Sequence, residues 1–292
     1  MNIVSKRLFC AIFFCLMFVK TILVAQVAYQ PDGLVKKVIT GIQIDLASVT
    51  VKDNDGKILD VPTTFQMVQS GKYSMETYVD EQDRIKEVVL RPKQNIEQAI
   101  ITGDKNPSLT VLREELEGIR VKDQALRMLL GCILNTFGGN SDSEGYKYLM
   151  LLMTQEDKKN QENVIKIIDE YGWLGISQVG EIANNALFLV IQHSSVEMQE
   201  KYFPLLKESA EKGESRLADM ALMDDRIRMH RKKKQLYGSQ TTSVNGKTYV
   251  WPIEDAANVD ERRKNVQLLP LTDYLKLMGL SYPQDELPSE LF

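Results

Sequence analysis

Chemistry at neutral pH needs groups that exchange protons or grip charge, and this sequence offers few. Past residue 25 it has two histidines, His193 and His230, and one cysteine, Cys132. His193 directly follows Gln192 at the end of a long apolar run, where an imidazole could act as general base or bind a ligand. A polar pair there could equally be satisfying its own hydrogen bonds at a helix end. Asp225-Arg226 offers a carboxylate to orient that histidine and a guanidinium to hold an anion. Asp123 and Arg127 stand four apart and so share a helix face, as a salt bridge or as binding groups. Cys132 lies in the apolar stretch 129–134 and reads as a small buried hydrophobe. There is no Gly-rich phosphate loop, no CxxC pair and no His-x-x-x-His pair, so neither a cofactor nor a metal is expected. Asp53 and Asp55 lack the remaining spacing of a calcium loop and read as a solvated turn.

Several of these residues belong to a longer series. Asp123-Gln124 with Arg127 is followed by Tyr171-Gly172-Trp173, Gly180, Gln192-His193 and Asp225-Arg226. Gln235, Tyr237-Gly238 and Gln240 come next, then Trp251-Pro252-Ile253, Val259 and Arg262-Arg263. In order and spacing the series resembles a bacterial domain family of unknown function with YGW, QH, DR and Q-x-YG-x-Q motifs, over about Leu109 to Tyr274. It departs at Leu174, where the family pattern has proline. The family has no activity to transfer. The resemblance implies that His193, Asp225 and Arg226 act together, with Gln192, Tyr237, Gln240, Trp173, Asp123 and Arg127 as binding residues. The same residues would also serve a polar network bracing a loop.

The elements that must position these groups follow from periodicity. Lys6 and Arg7, the apolar run from Leu8 to Val19 and the small Ala25 form a secretory signal, cleaved after Ala25. The formal net charge is −4; residues 1–25 contribute three cations and no acid, leaving −7. An acidic exported chain argues against nucleic acid, and no stable membrane span is expected once the signal is removed. Residues 26–103 alternate as strands: Ile42 to Leu46, Val49 and Val51 up to the turn 53–56, Tyr73 to Val79, and Ile85 to Leu90. They form a β-sheet module of hairpins. At Asn106-Pro107 the period changes to that of helices.

Residues 104–292 should therefore form a mainly helical domain, making the fold α+β. Helices are expected to about Gly138, over 143–153, 157–171 and 177–193, then from a cap at 194–197 with a break at Pro204, over 214–233, and at 272–278. Val244-Asn245-Gly246-Lys247 should turn a hairpin. Two functions fit: a periplasmic or secreted ligand-binding or hydrolase-like domain with a polar pocket around His193, taking a small molecule, or a non-catalytic protein that meets an envelope partner.

Overall fold

The computed structural model describes residues 28–37, 49–81, 84–93, 108–136, 144–244 and 247–283. The signal segment, the strand expected at 42–46, the 103/104 boundary, the Asn106-Pro107 cap, the Gly138 stop, the 245–246 turn and the Cys132 side chain lie outside what is described. Residues 31–292 form one compact unit. It opens with a small sheet, continues as a mainly helical body and carries one separate hairpin, as an α+β chain should.

The sheet is built from β1 (Val35–Lys36), β2 (Thr50–Lys52), β3 (Tyr73–Val79) and β4 (Ile85–Pro92), in the order β1-β3-β4-β2. β3 and β4 form an antiparallel hairpin with a bulge at Tyr78/Val79, whereas β2 runs parallel to β4. A parallel partner requires a crossover, and the chain supplies α1 (Val61–Gln69), a helix that alternation alone does not predict. Its signal was local: Asp60 caps the Thr63 N–H, and Pro62 occupies the first turn. The turn after β2 forms as expected, with Asp53 Oδ1 accepting the N–H groups of Asp55 and Lys57. That carboxylate oxygen is spent on backbone.

The helical body follows. α2 (Leu109–Thr136) begins at Ser108, whose hydroxyl caps Val111 N–H. α3 (Glu144–Tyr171) is one 28-residue helix where two were expected. The segment 154–156 contains neither Gly nor Pro, and Thr154 donates back to the Met150 carbonyl, so nothing breaks the turn. Gly172 ends α3 as anticipated. The apolar run after it is divided into α4 (Ile176–Val179) and α5 (Glu181–Gln192) by Gly180, whose φ of +84° and ψ of 164° suit glycine alone. α5 is central: every residue from Ala183 to Gln192 is buried.

α6 (Val196–Glu211) is capped by Ser195 through Met198 N–H, one residue later than expected, and continues as one helix past Pro204. The carbonyl that proline deprives belongs to exposed Glu200, where water can satisfy it. α7 (Leu217–His230), the hairpin β5 (Thr241–Val244) and β6 (Lys247–Val250), α8 (Val259–Asn265) and α9 (Leu271–Leu277) complete the body.

Two apolar clusters form the main core. One gathers Leu112, Leu116 and Ile119 of α2 with Val164 and Ile168 of α3 and the length of α5. The other places Val121, Ala125, Leu126 and Met128 of the same α2 against Val51, Val79, Ile85, Val88 and Leu90 of the sheet. Helix α2 thus serves both.

Candidate functional site

The end of α5 carries the site. His193 is its C-cap, with its N–H bonded to Leu189 O. Its Nδ1 lies 3.0 Å from Asp123 Oδ1; the Asp123 side chain is 1% exposed and the His193 ring 19%. The orienting carboxylate is therefore Asp123 on α2, not Asp225. Asp123 is held by three neighbours, His193 among them. Arg127 reaches its Oδ1 at 3.0 Å and its backbone carbonyl at 2.9 Å, and Gln124 donates to Oδ2 at 2.6 Å. Burial would push the carboxyl up, but the charge and hydrogen bond of His193, then Arg127 and Gln124, outweigh it and hold Asp123 at about 2.

Arg127 also clamps Asp157 of α3, with both carboxylate oxygens at 3.0 Å. Burial pushes Asp157 up against the pull of Arg127. Gln161, one turn on, donates to the His193 carbonyl. Asp157 and Gln161 were not singled out in the sequence. Asp123-Arg127 could be read because both lie on one helix; Asp157 is 30 residues away on the antiparallel neighbour.

Arg226 of α7 reaches the same place. Its NH1 donates to the Gln192 carbonyl at 3.1 Å, and Gln240 Oε1 accepts from its Nε at 3.2 Å. Gln192 is otherwise internal. Its carbonyl also accepts from Gln199, its Nε2 donates to Leu222 O, and its Oε1 has no partner among the described residues.

Asp225 does something else. It is fully buried and accepts four donors: the N–H groups of Leu236, Tyr237 and Ser239, and the Ser239 hydroxyl. Burial pushes its pKa up against those bonds. The carbonyls of the same loop are taken from the other side: Leu236 O by Arg262, Tyr237 O by buried Arg263, and Ser239 O by Tyr274. Gln235 closes the loop by donating to Gln240 O and Trp251 O while accepting the Gln240 N–H. Gly238, at φ +72°, has no room for a Cβ, which would meet Leu271 Cδ1 at 2.7 Å and Ile253 Cδ1 at 2.9 Å. The Q-x-YG-x-Q and Trp-Pro-Ile segments are thus a clamped loop. Tyr237, whose hydroxyl burial pushes up and which sits in the field of Asp224 and Asp225, belongs to that loop. Trp173 is likewise elsewhere: its Nε1 donates to Ser215 Oγ, which also accepts from Asn184.

A second buried network runs behind the site. Arg120 Nε donates to Asn185 Oδ1 at 3.0 Å, and Asn185 Nδ2 to Asp219 Oδ2 at 3.3 Å. Asp219 Oδ1 has no partner among the described residues, and burial raises the carboxyl to about 6 against the pull of Arg216 and Asn185.

Among the described residues no cluster of three or more His, Cys, Asp or Glu is placed to hold a metal, and no helix is long and apolar enough to cross a membrane. A groove of about 250 Å³ lies between α6 and α7, lined by Glu200, Phe203, Asp224, Ile227, Arg228 and Arg231 among others. None of the residues chosen from the sequence lines it.

Comparison with known proteins gives one match. A model described as "Family of unknown function (DUF6624)" matches residues 110–285. No curated protein and no solved structure matches.

Proposed function

Since the chain belongs to the DUF6624 family, which lends it no activity, we propose a function from the site itself: His193 is a proton-exchanging group, oriented by Asp123, that serves acid–base chemistry such as hydrolysis on a small molecule. One observation carries this reading, the 3.0 Å contact from His193 Nδ1 to a carboxylate that is 1% exposed, while the ring keeps 19% exposure. A carboxylate at Nδ1 selects the tautomer with the proton there, which makes Nε2 the basic nitrogen. Nε2 has no protein partner among the described residues. Asp225 has no part in this chemistry.

The test is a screen of ester, phosphoester and amide substrates with the wild type, His193→Ala and Asp123→Asn. Turnover by the wild type that falls about 10²-fold or more in both variants supports the reading. Turnover that survives His193→Ala would sink it. A second reading, a non-catalytic protein that binds an envelope partner, is favoured by the clamped loop: Asp225, Gln235 and Gln240 spend their polar atoms on internal bonds.

We also propose that the protein is exported to the periplasm or beyond, on the strength of the basic start, apolar run and Ala25. Mass spectrometry of the exported fraction from the native host should find Gln26 at the N-terminus. An intact Met1 there would refute cleavage.

A further inference from the structure

The arginines of the helical body differ in what they hold. Arg127 pairs with Asp123 and Asp157, Arg228 with Asp224 and Glu254, Arg231 with Glu200, and Arg262 with Asp255. Arg263 has no carboxylate, but it is sealed, bonded to two carbonyls and stacked over the Tyr274 ring at 4.7 Å. Arg226 differs from all of these. It is largely buried, it has no carboxylate partner among the described residues, and two acceptors use only part of its five-donor fork. Burial, and then the charge of Arg127, push its pKa down; His230 is depressed by burial and then by the charge of Arg226.

Such an arrangement is costly, because a buried cation wants a counter-charge. The C-terminus of α5, whose Gln192 carbonyl it touches, supplies about half a negative charge at most. The side chain is also aimed. Gln240 fixes Nε and the helix end fixes NH1, and Gln240 is itself held by the loop that Asp225 clamps. A guanidinium fixed on two sides, beside a histidine and a second arginine, has the features of an oxyanion grip.

We propose that Arg226 is the oxyanion-binding residue of this site, so that the ligand held at His193 carries a compact anionic group, a phosphate or a carboxylate. Phosphate and carboxylate share the forked acceptor geometry that the guanidinium recognises. The proposal rests on the reading that His193 marks the site, and its test keeps the two separable. Thermal melts of the full mature protein at pH 7 in sodium phosphate, sodium acetate and sodium chloride at matched ionic strength, each compared with the Arg226 variants, read anion binding, since a ligand that binds only the folded state raises Tm with its concentration and the comparison removes the general stabilising effect of phosphate.

Phosphate or acetate should raise Tm progressively while chloride does not; the effective salt identifies the anion. Arg226→Lys keeps the charge and loses the fork, and should weaken the effective anion about tenfold. Arg226→Gln should abolish the response, and Arg226→Lys covers the case in which that variant fails to fold. Shifts equal to those in chloride would overturn the proposal, as would an undiminished response in Arg226→Lys. Anion binding with turnover untouched by His193→Ala would remove the reading of His193 and leave Arg226 standing.

Discussion

Asp225→Ala is expected to cost about 3–5 kcal/mol of folding stability, the scale for removing one partner of a buried charged network. The wild-type carboxylate satisfies three backbone N–H groups and one hydroxyl. Alanine leaves all four donors buried or half-buried without their acceptor, and a water in the vacated space would satisfy only some of them. Because the loop also positions Gln240 against Arg226, anion affinity should fall with stability. Asp225→Asn keeps one acceptor oxygen and should lie between. Urea unfolding of the three proteins measures this; a loss under about 1 kcal/mol for the alanine variant would show that the loop is held by Arg262, Arg263 and Tyr274 alone.

The second large effect depends on pH. Asp219 titrates at about 6 in the fold against an ordinary value of 3.8. A raised acid favours folding fully below the unfolded value, and that contribution is lost as pH rises through the folded value. Between pH 4 and pH 6–7 the wild type should therefore lose about 2 kcal/mol that Asp219→Asn, which does not titrate, keeps. The difference between the two proteins, rather than either curve, is the measurement, since every other titrating group cancels. A difference that stays constant across pH 4–7 would mean that Asp219 is ionised in the fold and better paired than its lone contact with Asn185 indicates. Asp123 runs the other way: held at about 2, its contribution is present above pH 4 and lost as pH falls toward 2.

Local chemistry was legible in the sequence and cross-helix pairing was not. The α+β order, the stop at Gly172 and the β5–β6 hairpin followed from spacing. Asp225 was misread because adjacency to Arg226 suggested a shared task. On α7 the two point to different partners, one into the 236–239 loop and one to the end of α5. The true partner of His193 stands 70 residues earlier, and no periodicity connects those positions. The missed helix α1 shows the same limit in reverse: Asp60 and Pro62 spelled its start, but the alternation on either side carried more weight.

Helix α2 has a consequence for what counts as a unit in this chain. The family match begins at residue 110, within the first turn of that helix, and excludes the sheet before it. Yet Val121, Ala125, Leu126 and Met128, inside the matched stretch, bury themselves against that sheet. Shared ancestry and shared burial therefore draw different borders. Every relative that keeps the matched region without this sheet must cover that stripe of α2 in some other way, with a different N-terminal module, a second subunit, or polar residues at those four positions.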